Sequence, residues 1–227
     1  YVNNSFKSAA EECKLTIYDG DSQVNPLWGF SYSRNSFAAS ESLIDKFVER
    51  NDPRAPQAFI EPDPTGYIVY GYGGDQATDI ESINFAPNGT PDEVQNIYGM
   101  SMALWAITTP TQLISYHEVK FLEAEALCRL GRKSEAEAAL KEAVIAGFAN
   151  TENMLIDATE NWVGGEVNLG ADVAEDYFER SVKPLFTVNP LKETMIQKYL
   201  SFFGASGEST EAYCDYRRMK GAGEEFV

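Results

Sequence analysis

Segment 115–148, SYHEVKFLEAEALCRLGRKSEAEAALKEAVIAGF, limits the fold of this chain more than any other stretch. Its apolar residues recur at helical spacing in two blocks. Val119, Leu122, Ala126, Leu127 and Leu130 make the first block, and Ala136, Ala139, Leu140, Ala143 and Val144 the second. Both follow the i, i+3, i+4, i+7 pattern of one buried helical stripe. Gly131 lies between them, and glycine tolerates the positive φ of a tight reversal between helices. Small residues, Ala124 and Ala126 on one side and Ala136, Ala139 and Ala143 on the other, let two backbones approach closely. The spacing predicts a helical hairpin with Ala124 and Ala136 at the contact.

Ala124-x-x-Leu127, Gly131 and Ala136-x-x-x-Leu140 also match the small–large rhythm of a tetratricopeptide hairpin. Such a hairpin cannot bury its own outer face, so it implies neighbouring helices and a scaffold suited to binding. Residues 1–39 read as irregular, with Asp19-Gly20-Asp21 and Asn25-Pro26 as turn signals. A helix is expected over 40–50, with Ser40 able to cap it and Leu43, Ile44, Phe47 and Val48 buried. Asn51-Asp52-Pro53-Arg54 stops it, because proline disfavours a helical residue before it. Residues 55–110 are rich in Gly, Pro, Asn, Asp and Tyr and read as an elaborated loop region, with a short strand at 66–72. A connection at 161–170 leads to a helix over 172–182 with Val173, Ala174, Tyr177, Phe178 and Val182 inward. Asn189 and Pro190 open the next helix as cap and first residue; Leu191, Met195, Ile196, Tyr199, Leu200 and Phe203 form its stripe. After a turn at 204–207, a last helix over 208–220 is expected to turn Ala212, Tyr213 and Tyr216 inward. The fold class is therefore all-α, with helical hairpins and long irregular loops.

The chain has 227 residues and a net charge of −17, from 18 Lys+Arg against 35 Asp+Glu. A nucleic-acid binder needs a basic face to displace phosphate counterions, so that class is disfavoured. Direct adhesion to an anionic membrane is disfavoured for the same reason. The acidity reads mainly as solubility. Cys13, Cys128 and Cys214 lie far apart and form neither a disulfide framework nor a zinc site. Apolar runs fall far short of the roughly 18 residues of a transmembrane helix. The first residue is Tyr1 and the last four are Glu-Glu-Phe-Val, so an interior piece of a longer protein is expected.

Catalytic patterns are sparse. A single histidine, His117, rules out H-E-x-x-H and any three-histidine metal site. Cys128 is too far along the same helix to pair with it, about 16 Å at ~1.5 Å per residue. His117 is expected to be partly exposed at a helix start. Glu123 and Glu125 point in different directions on a helix and do not form a glycosidase pair. Gly71-x-Gly73-Gly74 lacks a following helix and reads as a turn. Arg54 suits a structural ion pair or a carbonyl cap, and so do Arg217-Arg218, which lie where cations also complement the negative end of the last helix dipole. No metal or cofactor is expected.

Four pieces occur together in order: Ser42-Leu-Ile-Asp-Lys-Phe-Val-Glu-Arg-Asn-Asp-Pro-Arg54; Gly71-Tyr-Gly-Gly74; Ile114-Ser-Tyr-His-Glu-Val-Lys-Phe-Leu-Glu-Ala-Glu-Ala126; and Ile196-Gln-Lys-Tyr-Leu-Ser-Phe-Phe followed by Glu211-Ala-Tyr-Cys-Asp-Tyr-Arg-Arg218. This set resembles the SusD/RagB family of cell-surface nutrient-binding lipoproteins from Bacteroidetes, in the branch labelled SusD-like 2. The resemblance covers most of residues 40–220. It implies a tetratricopeptide-like scaffold with long loops, of which 1–227 is part of a single domain: a loop-rich stretch over 1–110 with the helix at 40–50, then a helical repeat stretch over 111–227. It further implies a lipoprotein on the outer-membrane surface, held by a lipid anchor outside this chain. Its partner would be a SusC-like TonB-dependent transporter, and its task non-catalytic capture of an oligosaccharide or, in some members, a peptide. The alternatives are a tetratricopeptide adaptor for a peptide or protein partner and an all-α hydrolase.

The family's ligand loops vary in sequence, so candidate contacts come from chemistry instead. A sugar ring presents a flat apolar face edged with hydroxyls, which suits an exposed aromatic plane beside amides or carboxylates. Tyr67, Tyr70 and Tyr72 with Asp75 and Gln76, and Trp105 further on, offer both; Trp28 and Trp162 are the other indoles in irregular segments. Tyr70, Tyr72, Trp105, Asp75 and Gln76 are the candidate ligand contacts. For any one of them, packing of a loop against the helices is the competing assignment.

Overall fold

Gly131 adopts a φ of +71° between two helices, the conformation its place in the sequence requires. The computed structural model describes residues 4–18, 23–33, 38–60, 80, 83–89, 98–161, 165–204 and 208–226. Among these the elements begin with strand β1 (Cys13–Leu15) and helices α1 (Pro26–Ser33), α2 (Glu41–Val48) and α3 (Ala55–Ala58). Strands β2 (Phe59–Ile60), β3 (Met100–Ser101) and β4 (Thr111–Ile114) come next, then helices α4 (Tyr116–Arg129) and α5 (Lys133–Asn161). The chain ends in α6 (Ala171–Tyr177), a π turn (Phe178–Val182), α7 (Lys183–Val188), α8 (Pro190–Ser201) and α9 (Ser209–Gly221). No helix among the described residues is long and apolar enough to cross a membrane. The fold is mostly helical, as expected, and the contacts divide into two compact units.

One unit comprises Tyr1–Leu15, Thr111–Asn150 and Gly170–Val227. Here β1 pairs antiparallel with β4, and α4 and α5 form the expected hairpin. Ala124, Ala136 and Ala143 are fully buried, and Leu140, Val144 and Phe148 extend the α5 stripe. Adding three carbons to a filled alanine contact forces neighbours off their rotamers, at a cost of about 1–3 kcal/mol. Ala124→Leu and Ala136→Leu are each expected to lower the melting temperature. Unchanged melting in both would place these alanines outside the contact.

The buried face of α4 differs from the expected one. His117, Glu118, Phe121, Ala124 and Glu125 point inward, while Leu122, Ala126 and Leu130 are exposed, Leu130 by 69%. Apolar periodicity chose the wrong side because the true inner face is half polar, and polar groups go inside when each finds a partner. His117, expected to be partly exposed, is 1% exposed. On α9 the inward residues are Asp215 and Met219, whereas Tyr213 and Tyr216 lie outside. Met219 joins Met195 and Phe226 in a small core flanked by Leu191 and Tyr199. Asn189 caps α8 as expected, its Oδ1 accepting from the Lys192 N–H at 3.1 Å. The α6 stripe holds, with Ala174, Tyr177, Phe178 and Val182 buried, but the π turn and α7 had no distinct signal.

The other unit comprises Thr16–Pro110 and Thr151–Leu169. Ile44 and Phe47 of α2 are buried, and the Phe47, Phe59 and Phe85 rings meet edge to face. Ser40 does not cap α2 with its side chain; its Oγ instead lies 2.8 Å from Asn88 Oδ1 and 3.0 Å from Ser42 Oγ. The backbone around it is tied down by Ala39 N–H to Gly99 O and Glu41 N–H to Ala86 O. Gly99 is glycine for space: a Cβ there would fall 2.5 Å from Ile83 Cγ2 and 3.3 Å from the Ile60 carbonyl oxygen. Asn25-Pro26, read as a turn, instead opens α1, with Asn25 Oδ1 accepting from the Leu27 N–H and its Nδ2 donating to Thr109 O. Asp157, in turn, accepts from the backbone and hydroxyl groups of Thr108 and Thr109 at 2.7–2.9 Å. The described parts of the region 55–110 are thus pinned by short elements at several points.

Candidate functional site

Strand β2 ends at Ile60, and the segment 61–79, which holds the tyrosine-rich candidates, follows it directly. Its footing is rigid. Ile60 is fully buried, and β2 pairs with β3 through Phe59–Ser101 and Ile60–Met100. Beside it, the Arg54 guanidinium donates from Nε (3.0 Å) and Nη2 (2.6 Å) to the two oxygens of Asp52. The side chains are 2% and 0% exposed, and Arg54 also lies over the Phe47 ring at 5.4 Å. The expected structural ion pair is therefore present, in bidentate form. A cavity of about 240 Å³ opens next to this pair, walled by Phe47, Val48, Asn51, Pro53, Pro56 and Ile80. Tyr70, Tyr72, Asp75 and Gln76 lie outside the described residues, as do the expected strand at 66–72 and the Gly71–Gly74 turn. Trp105 is described: it closes a 3-10 turn (Met102–Trp105) and is 8% exposed, its Nε1 without a hydrogen-bond partner among the described residues. As placed, its indole presents almost no ring face to solvent.

Within the α4-containing unit, a cleft of about 610 Å³ opens between α4, α8 and α9. Its walls are charged, and the charges are matched. Glu125 accepts from Arg218 (2.5 and 2.9 Å) and from Arg129 (2.7 Å). Arg218 also donates to Asp215 at 2.7 Å, and Arg129 to Glu224 at 2.6 and 2.9 Å. Burial pushes the Glu125 carboxyl up, but the two guanidiniums outweigh it and hold it below the usual carboxylate range. Lys198, almost fully buried, reaches Asp215 at 2.9 Å and lies over Phe202 at 5.5 Å. Glu125, Lys198, Asp215 and Arg218 belong to the Glu-Ala-Glu-Ala, Gln-Lys and Asp-Tyr-Arg-Arg pieces of the sequence. Their side chains bind one another across three helices. A carboxylate held ionised by two arginines is a poor proton donor, so Glu125 suits a framework better than acid catalysis. The structural ion pair expected of Arg218 is present, and its partners Glu125 and Asp215 come from α4 and from α9 itself.

A second groove on the same unit, about 490 Å³, runs along α4 and α5 and is floored by Leu122, Ala126, Leu127, Leu130, Ala138 and Ala139. Among the described residues, no three His, Cys, Asp or Glu side chains converge as metal ligands would. Cys13 and Cys214 are exposed free thiols.

Comparison with known proteins supplies the wider frame. The model of the family SusD-like 2, "Starch-binding associating with outer membrane", matches residues 2–221. A solved SusD/RagB family protein from Bacteroides thetaiotaomicron VPI-5482 is 47% identical with a TM-score of 0.88, over 100% of this chain and 48% of its own. A SusD homolog from Bacteroides fragilis NCTC 9343 is 16% identical with a TM-score of 0.68, over 96% of this chain and 48% of its own. A chitin-binding protein is 20% identical with a TM-score of 0.63, over 96% of this chain and 45% of its own. The chain thus spans about half the length of these solved structures. Among curated proteins, none matches this chain.

Proposed function

Because the chain belongs to the SusD-like family, whose members are described as starch-binding and associated with the outer membrane, we propose that it is part of a surface protein that captures an oligosaccharide without cleaving it. The full protein would be a lipoprotein anchored outside this chain, handing its ligand to a SusC-like TonB-dependent transporter. The family match over residues 2–221 is the observation that carries this reading. The chitin-binding description of one structural relative supports an oligosaccharide as the ligand class. The chain's own chemistry is consistent with it. Asp215 and Glu125 are committed to holding helices together, while Tyr70, Tyr72, Asp75 and Gln76 lie in a segment that springs from a rigid base. We assign the ligand contacts to those four residues.

A second reading rests on the α4–α5 groove, whose exposed Leu122 and Leu130 would suit an amphipathic peptide. An array carrying α- and β-linked oligosaccharides, probed with the full-length protein, separates the two. Binding of a glycan with no shortened products on long incubation is the expected result. Cleavage of the bound glycan, or capture of peptides alone, would overturn the proposal.

A further inference from the structure

Helix α9 turns two tyrosines to solvent, Tyr213 at 64% exposure and Tyr216 at 38%. With Arg217 and Lys220 they recur at i, i+3, i+4 and i+7, one stripe along the helix on the side away from the inward Asp215 and Met219. Each cation lies over a ring of the stripe. The Arg217 guanidinium is 5.8 Å from the centre of Tyr213, and the Lys220 ammonium 5.4 Å from that of Tyr216. Lys220 also donates to the Tyr216 hydroxyl at 3.2 Å.

The charge of this stripe stands out in an acidic chain. With 35 Asp+Glu to 18 Lys+Arg, a cation has carboxylates in excess, and Arg129, Lys192, Lys198 and Arg218 each take at least one. Arg217 and Lys220 meet no carboxylate among the described residues. The acids near them in sequence are committed elsewhere. Asp215 goes to Lys198 and Arg218, Glu224 to Arg129 and Glu225 to Lys192, while Glu211 lines the cleft on the other side of the helix. The outer face of α9 is therefore a locally positive, aromatic strip on a protein of net charge −17.

A charged sugar needs both kinds of group. A tyrosine ring is a stacking plane for the apolar face of a pyranose. A guanidinium laid on a ring uses its flat face and keeps its N–H edge, whose fork matches a carboxylate. An acidic peptide brings carboxylates on flexible stems but no flat apolar face for Tyr213, so the pairing of rings with cations favours the sugar. We propose that the outer face of α9 is a second, shallow binding surface for an oligosaccharide that carries carboxylates, a uronic-acid chain, with Tyr213 and Tyr216 beneath its rings and Arg217 and Lys220 on its carboxylates. The ligand class rests on the capture reading above, but the residues are separate from those of segment 61–79. Exposed charges more than about 8 Å away are largely screened at physiological ionic strength, so the acidic remainder of the surface does not forbid this contact.

The test is calorimetric titration of the full-length protein with tetragalacturonate and with its methyl ester, which has the same rings and no charge. The acid form is expected to bind, and the ester to bind at least about tenfold more weakly, the worth of one charge-assisted hydrogen bond. The double variant Arg217→Gln, Lys220→Gln should show the same loss for the acid form. Tyr213→Ala should raise its Kd about 5- to 150-fold, the range for one lost stacking ring. Both variants should melt as the wild type does, because these side chains are exposed, and Tyr70→Ala should leave tetragalacturonate binding unchanged. No binding of tetragalacturonate, equal binding of acid and ester, or wild-type affinity in the double variant would overturn the proposal. So would equally tight binding of oligoglutamate, which would make the strip a peptide surface, or an earlier melt of the variants, which would place it against another part of the full-length protein. If the strip fails while neutral glycans still bind through Tyr70 or Tyr72, the capture reading stands without it.

Discussion

Replacing Asp52 by Asn, or Arg54 by Leu, is expected to lower stability by about 3–5 kcal/mol, because each change leaves the opposite charge buried and unpaired. The pair is nearly sealed, with side-chain exposures of 0% and 2%, so water cannot take over the lost partner. The guanidinium also covers the Phe47 ring, which itself meets Phe59 edge to face, so the loss should spread into the core around Phe47 and Phe59. The double substitution is expected to recover much of the loss, since an apolar and an amide side chain bury more cheaply than a lone ion. Denaturant midpoints of the two single variants and the double variant measure this directly. Additive losses would show that the two side chains do not act as a pair.

Lys198→Met is the second large effect, again about 3–5 kcal/mol. It removes the cation between Asp215 and Glu118, both nearly buried, and the ammonium above Phe202. The neighbouring Arg129 and Arg218 are 35% and 44% exposed at their side chains, so solvent screens their pairs and their removal should cost less. Thermal melts of Lys198→Met beside Arg218→Met give the order. A smaller loss for Lys198→Met would show that burial does not set the strength of this network.

Which parts of this were legible follows from the range of the forces involved. Asn189-Pro190 announced α8, and Gly131 the hairpin turn, because caps and positive φ are local requirements written in one or two residues. Asn25-Pro26 carried the same opening signal but was passed over, since the PLWGFSYS sequence of α1 shows little apolar periodicity. The inner face of α4 was misread for the opposite reason. Its outer leucines made the stronger stripe, while Glu118 and Glu125 are matched inside by Lys198 and Arg218 from distant helices. The same distance hid the role of Lys198 and Asp215, although their motifs were visible and carried the family resemblance. Trp105 shows the limit on the binding side: residue type does not say whether an indole stacks on a ligand or packs beneath a loop, and here it is buried.

The central claim is that the signature residues hold the scaffold while the loop residues recognise the ligand. Calorimetric titration of the full-length protein with its array-identified oligosaccharide tests it, comparing Tyr70→Ala and Tyr72→Ala with Arg218→Lys. Loss of a stacking platform should weaken binding by about 1–3 kcal/mol, by analogy with bases on aromatic rings, a 5- to 150-fold rise in Kd. At least one tyrosine variant is expected to lose affinity at an unchanged melting temperature, and Arg218→Lys to melt earlier yet bind normally while folded. Wild-type affinity in both tyrosine variants, with binding lost in a folded Arg218→Lys, would contradict it.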